Sequence, residues 1–275
     1  MANPLLNEKK ADEVAAATRA GWGVPDPALR STPIPGTPIT DGPISPWSSM
    51  RTMTYGGTAT ATGVLLVLLL AAATYGWNST DTQVAGNWSL PTLSIVGILV
   101  GFACAIAVAF KPNLARILGP IYALGEGVFL GAISRAYNDF QNGIVIQAVG
   151  ATLAVFAVML VLYKSRIIKV TDRFRRNVIM ATVGLMVFYM ISFVISLFGG
   201  SVPFLQSASL LGIGFSIFAA GLAAMNLALD FDLIERGVTN KWPKQMEWFC
   251  AFGLLITLVW LYLELLRLLA KLQRN

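Results

Sequence analysis

Glu126 is an acid in the middle of an apolar segment. It is the only charged residue between Ile117 and Ser134, a run long enough to lie within a bilayer. A charge at the centre of a membrane costs roughly 2.5 to 3.5 kcal/mol or more, so such acids face a bundle interior or a water-filled path. Desolvation favours the neutral acid unless a cation or hydrogen bonds compensate. The position therefore suggests either a proton or ion path or a neutral acid hydrogen-bonded to a neighbouring helix.

Asp230 and Asp232 stand at the predicted end of the sixth apolar segment. Two residues apart on a helix, they face different ways, so at most one points into the bundle while the other meets solvent or Arg236. Paired carboxylates could share a proton or hold Ca²⁺ through their oxygens. Ordinary interfacial acids would give the same pattern, so both interpretations stay open.

Three more charged residues lie in or beside predicted spans. Glu264 and Arg267 are three residues apart, which favours a local ion pair that reaches toward the headgroups. Arg135, at the end of the third span, is expected to be an interfacial anchor, or else a mobile partner for an acid.

The composition excludes several kinds of chemistry. There is no histidine, so Ser-His-Asp hydrolysis and His-ligated zinc or haem are excluded. Cys104 and Cys250 lie in apolar segments, where packing is the favoured role. An aspartyl protease needs two aspartates in one site, and the local motifs of such enzymes are missing. We expect no enzyme and no cofactor, with Ca²⁺ only as a possible transported ion.

The chain has the composition of an integral membrane protein. Hydrophobic residues make up 56% and charged residues 12%, against about 25% charged in soluble domains. Seven segments supply close to the ~20 residues needed to cross a bilayer. The predicted spans are residues 55–76, 91–110, 114–136, 143–163, 178–198, 205–229 and 248–270. The sequence thus predicts an all-α membrane domain over residues 55–272, preceded by a disordered, proline-rich tail over residues 1–54.

Lysine and arginine follow the second, fourth and sixth spans, whereas residues 77–90 and 199–204 carry neither. The positive-inside rule then predicts a cytoplasmic N-terminus and an outside C-terminus, although Arg267, Lys271 and Arg274 argue the other way. We expect the plasma membrane as the location and the lipid bilayer as the partner. The positive charge lies in short links next to the membrane surface, so we expect no binding to nucleic acid.

Small residues recur four positions apart, as in Gly97 with Gly101 and Gly127 with Gly131. Small residues at this spacing let membrane helices approach closely. We therefore expect both pairs to lie at helix contacts, the second of them beside Glu126.

Three segments resemble the Bax inhibitor family, in family order. They are residues 119–134 (GPIYALGEGVFLGAIS), residues 226–236 (NLALDFDLIER) and residues 260–269 (WLYLELLRLL). The resemblance is to bacterial, YccA-like members (transmembrane Bax-inhibitor-motif proteins) and covers roughly residues 55–272. It implies a seven-helix bundle whose last helix is surrounded by the other six. In some members it also implies a pH-sensitive calcium leak, gated by an aspartate dyad.

In that comparison Asp230 matches the first aspartate of the dyad, and Thr257 stands at the position of the second. A threonine cannot share the proton of a dyad, so we expect Glu126 and Asp230 to form the acidic part of any pathway, with Thr257 as a neutral oxygen between them. If the closed state holds the proton, raising the pH favours an open, hydrated state and the leak rises.

The alternative is a regulator without transport activity. The resemblance to YccA-like proteins, which restrain a membrane-bound protease, implies a membrane-protein partner. The long polar tail favours this alternative, because a partner can capture a flexible arm.

Overall fold

The computed structural model describes residues 52–80, 92–200 and 207–274, within one compact unit, Ser49–Asn275. These residues form seven long helices, with one 3₁₀ turn, Pro112–Leu114, before the third. The helices are α1 Tyr55–Asn78, α2 Thr92–Phe110, α3 Ala115–Phe140, α4 Ile144–Lys164, α5 Asp172–Leu197, α6 Leu210–Thr239 and α7 Met246–Gln273. All seven are long and apolar enough to cross a membrane. The predicted all-α, seven-transmembrane-helix fold is confirmed.

The largest differences from the predicted bounds are the beginning of α5 and the end of α6. α5 begins six residues early, because the Thr171 hydroxyl accepts a hydrogen bond from the backbone N–H of Phe174 and so caps the helix before its arginines. α6 continues ten residues past its predicted end, to Thr239. Asp230 and Asp232 therefore lie within α6 and not at its end. Most of the predicted tail, residues 1–51, lies outside the described residues.

Glycines bring α3 against two neighbours. A Cβ on Gly127 would lie 2.8 Å from the Cβ of Ala72, and one on Gly131 would overlap the carbonyl of Ala73, both on α1. On the other side, a Cβ on Gly97 of α2 would collide with the Gly125 carbonyl. Both predicted pairs lie at helix contacts, but Glu126 faces Gly101 of the first pair, whereas the second pair faces α1. They draw α1, α2 and α3 into one tightly packed unit.

α7 is the central helix. It packs against α1, α3, α4 and α6, and its side chains also reach α5. In the 18-residue apolar stretch of α7 that could cross the membrane, 56% of the residues are buried, against 17% in the corresponding stretch of α5. Because α7 is enclosed, its polar residues have the other helices as neighbours instead of lipid.

The chain just before α1 is attached to the link between α6 and α7. Met53 is 2% exposed, and its N–H donates to the Trp242 carbonyl at 2.7 Å. Thr52 forms an isolated bridge with Pro243. The links over residues 111–114, 165–171 and 240–245 follow even-numbered helices and carry lysine or arginine. We call the end of the bundle with these links the basic end.

Candidate functional site

The Asp230 side chain lies between α6 and α7. Its Oδ1 would be 3.8 Å from a Cβ on Gly253, and the Thr257 hydroxyl lies beside the carboxyl group. Its Oδ2 is buried and has no hydrogen-bond partner. Among the described residues, the only other buried side-chain oxygen without a partner is Ser94 Oγ. A buried polar atom without a partner costs about 1 to 3 kcal/mol, and more when it is charged, so an ionised Asp230 is unfavourable at this position.

Thr257 already uses its hydroxyl proton. Its Oγ1 lies 3.2 Å from the carbonyl of Gly253, one helical turn earlier. A threonine hydroxyl has one proton to donate and two lone pairs that accept. When that proton goes to Gly253, Thr257 can bind Asp230 only as an acceptor, which requires a protonated Asp230. The ionised carboxylate would instead take the threonine proton away from the Gly253 carbonyl.

Asp232 faces away from Asp230. Its Oδ2 forms an ion pair with Arg175 at the start of α5 and a second, at 2.8 Å, with Arg236. This divergence is what a two-residue spacing on a helix gives. The calcium site considered for Asp230 and Asp232 is therefore not formed by this pair, because two guanidinium groups occupy the Asp232 carboxylate. In the described parts of the chain, no group of three or more Asp, Glu, His or Cys residues could hold a metal.

Glu126 lies at the contact between α3 and α2. Its Oε2 would be 3.2 Å from a Cβ on Gly101, and Tyr122 lies beside the same glycine. Glu126 is partly buried, and no hydrogen bond or ion pair joins it to another described residue. Its neighbour Tyr122 packs edge-on against Phe252 of α7, with ring centroids 5.0 Å apart. The two acids thus face different helix pairs, and Thr257, expected between them, contacts Asp230 alone.

Glu264 is a buried acid with four hydrogen bonds. It is 1% exposed, and its Oε1 accepts from Tyr189 of α5 at 2.7 Å and from Trp260 at 3.3 Å. Arg267 donates to both carboxylate oxygens, at 3.2 and 3.1 Å. The predicted ion pair is formed. The expectation that it reaches the headgroups is corrected, because Tyr189 and the enclosed position of α7 hold Glu264 inside the bundle.

Lys271 is also a buried charge on α7, although in the sequence it stands out only as one of the basic residues near the C-terminus. It is 3% exposed, and its Nζ donates to the Gly212 carbonyl and to Ser216 Oγ of α6, each at 2.9 Å. Thr257, Glu264 and Lys271 are seven residues apart, so they lie on one face of α7. We call them the polar stripe of α7. This spacing was the signal that could have identified Lys271.

Arg135 lies toward the end of the bundle that is opposite to the basic end. Its Nε lies 3.4 Å from Asp139 Oδ1, one turn later, and its guanidinium lies 5.3 Å from the ring centroid of Trp77. The anchor interpretation agrees with these contacts. Within the described chain its acidic partner is Asp139, not one of the interior acids.

Two further acids, Glu235 and Glu247, form contacts at the basic end that were not predicted from the sequence. Glu235 accepts hydrogen bonds from Tyr163 of α4 and from Arg166. Glu247, 3% exposed, accepts from the N–H and hydroxyl of Thr54, both at 3.0 Å. Thr54 in turn accepts from the Gly57 N–H and caps α1. Glu247 therefore places a carboxylate of α7 at the positive end of the α1 dipole.

These features define a multi-pass membrane protein whose central helix carries polar and charged groups inside the bundle. The chain matches the family model described as "Bax inhibitor 1 like" over residues 3–274, and it belongs to that family. The match extends into the proline-rich segment, which the resemblance seen in the sequence left out. No curated protein sequence matches the chain.

Proposed function

We propose that the protein is a passive, pH-sensitive cation leak, with Ca²⁺ as the transported ion, and that its path follows the contact between α6 and α7 past Asp230. The observation that carries the proposal is the enclosed Asp230 Oδ2, which has no partner among the described residues. In the closed state the carboxyl is protonated and neutral, which lowers the cost of burying it between two helices. A passing cation with its water satisfies it in the open state, because hard cations prefer oxygen ligands.

The Thr257 hydroxyl gives the closed state a defined arrangement. In the proposed closed state the protonated Asp230 carboxyl donates to the Thr257 hydroxyl, whose own proton goes to the Gly253 carbonyl. Loss of the proton reverses the role of Thr257 and leaves a charge between two helices. Such a charge is stabilised by water entering the α6–α7 contact. Thr257 thereby supplies a neutral oxygen beside one acid, Asp230. The family resemblance implies two aspartates at these positions in some other members.

The direction of the pH effect follows from linkage. If the closed state binds the proton and the open state does not, raising the pH shifts the equilibrium toward the open state. The leak is therefore expected to increase with pH. Glu126 is a second acid that could contribute to the path, but its contacts belong to α2 and α3, so its effect is tested separately.

Asp230→Asn is expected to remove the pH dependence of Ca²⁺ flux into liposomes that contain the purified protein. The amide has nearly the shape of the carboxyl but does not titrate, so the flux should stay constant from acidic to neutral pH. Asp232→Asn is the matched control, because it removes an acid two residues away that does not face α7; it should keep the pH dependence. A wild-type flux that falls or stays flat as pH rises would contradict the pH mechanism. A flux unchanged by both Asp230→Asn and Glu126→Gln would remove the pathway.

The orientation proposed with this function places the basic end in the cytoplasm of a cell with a plasma-membrane location. The positive-inside rule supports it, because the basic links over residues 165–171 and 240–245 lie at the same end. The seven spans then place the C-terminus on the other side of the membrane.

Regulation of a membrane-protein partner, such as a protease, is a second candidate function. It is supported by the attachment of residues 52–54, the C-terminal end of the tail, to the α6–α7 link and to Glu247 of the central helix. Deleting residues 2–50 separates the two functions, because regulation should fail while ion flux persists. Loss of flux in the deleted protein would argue against this separation.

A further inference from the structure

The first turns of α5 form a basic depression on the outside of the bundle. It has a volume of about 450 Å³ and is lined by Asp172, Arg173, Arg175, Arg176, Ile179 and Met180. Arg173 and Arg176 are exposed and three residues apart, so they lie on neighbouring positions of one helix face. Two guanidinium groups on one face can bind the same phosphate through several charge-assisted hydrogen bonds.

Arg173 and Arg176 are not used within the described protein. The neighbouring Arg175 pairs with Asp232, and Arg166 of the preceding link pairs with Glu235. No ion pair within the described ranges involves Arg173 or Arg176. Arg166 and Arg175 thus connect this region to α6. Arg173 and Arg176 instead leave their charges on the outer surface.

The residues that follow make the depression suitable for a lipid. Ile179 is 46% exposed and Met180 is 58% exposed, one turn further along the same helix. α5 packs mainly on α6, so this face is left to the surroundings of the protein. In a bilayer, positive side chains at a helix end with apolar side chains directly after them match a phosphate headgroup joined to acyl chains.

We propose that Arg173, Arg176, Ile179 and Met180 form a binding site for an anionic phospholipid. The two arginines hold the phosphate, and the two apolar side chains contact the first part of the acyl chains. Asp172 is the one carboxylate among the residues that line the depression, and it opposes binding by like-charge repulsion. This site is independent of the proposed leak, since it lies on the outer face of α5.

The variants Arg173→Gln/Arg176→Gln and Asp172→Asn test the site in opposite directions. Binding of phosphatidylglycerol and phosphatidylcholine to the full-length protein in detergent would be measured by native mass spectrometry. If each arginine near a lipid surface contributes about fivefold to affinity, the double variant should bind phosphatidylglycerol roughly 25-fold more weakly. Asp172→Asn should bind it more tightly, because it removes the opposing charge. Phosphatidylcholine, which has no net charge, should bind weakly to every variant.

Lys241→Gln/Lys244→Gln is the matched control, because it removes two exposed positive charges from the same end of the bundle but outside the depression. It should lower phosphatidylglycerol binding by about twofold or less, since these two lysines do not line the depression and exposed charges are screened by salt. An equal loss in the two double variants would overturn the site in favour of diffuse attraction. Competition by soluble glycerol phosphate at the concentrations at which the lipid binds would overturn the lipid assignment in favour of a soluble phosphate.

Discussion

Gly131→Leu is expected to prevent stable assembly of the bundle, with a loss of about 3 kcal/mol or more. A Cβ at Gly131 would overlap the Ala73 carbonyl and lie 2.8 Å from the backbone nitrogen of Trp77. Both obstacles are backbone atoms of α1, which cannot rotate away as a flexible side chain would. The two helices would have to separate along their length. The measurement is thermal unfolding of the purified protein in detergent, together with its elution as a single species in size-exclusion chromatography.

Gly150→Leu is the control for that substitution. Gly150 lies in the second turn of α4, and nothing lies within 4 Å of the position of its Cβ. Leucine also has a higher helix propensity than glycine, by up to about 1 kcal/mol. The unfolding temperature should stay the same or rise slightly. If Gly131→Leu and Gly150→Leu unfolded at the same temperature, the close contact of α1 and α3 could not be the feature that holds them together.

Arg267→Met is expected to destabilise the protein by about 3 to 5 kcal/mol, because it leaves Glu264 buried without its cation. Glu264 would keep the hydrogen bonds from Tyr189 and Trp260 but lose both bonds from Arg267. The double variant Glu264→Gln/Arg267→Met should recover most of the loss, since it removes the charge that the single variant leaves unpaired. Equilibrium unfolding in detergent and denaturant measures all three proteins.

Arg135→Met is the matched control for Arg267. The Arg135 pair with Asp139 is about one-third exposed on both sides and has a longer N···O distance of 3.4 Å. Exposed pairs contribute about 0 to 1 kcal/mol. A similar loss in Arg135→Met and Arg267→Met, or a double variant no more stable than Arg267→Met, would contradict the buried ion pair.

The number of membrane-spanning helices follows from the sequence because the bilayer imposes a length and a polarity on every span. The errors came where charged residues continue a helix. α6 was ended at residue 229 because Asp230 and Asp232 begin a charged stretch, yet Asp232 has Arg175 and Arg236 as partners. Arg175 belongs to another helix, and its proximity to Asp232 is a property of the fold that no local pattern contains.

The sequence predicts a residue's depth and the face of its own helix on which it lies. It does not predict which other helix that face contacts. The alignment that placed Thr257 opposite Asp230 named two residues that the structure brings together. Glu264 was expected near the headgroups, because its position along α7 was read without Tyr189, which is 75 residues away in the chain. Glu126 and Asp230 were expected to share a path for the same reason: their depth could be estimated from helical rise, but the helix that each one faces could not.

The contact between Glu247 and Thr54 has a consequence for biosynthesis. These residues are 193 positions apart, so the first membrane helix is made and inserted long before its carboxylate partner leaves the ribosome. Until then, the N–H and hydroxyl of Thr54 have only water or headgroups as acceptors. The first helix thus obtains the acceptor for its capping residue only from the final helix. A chain interrupted before residue 246 would insert its first helix without this contact.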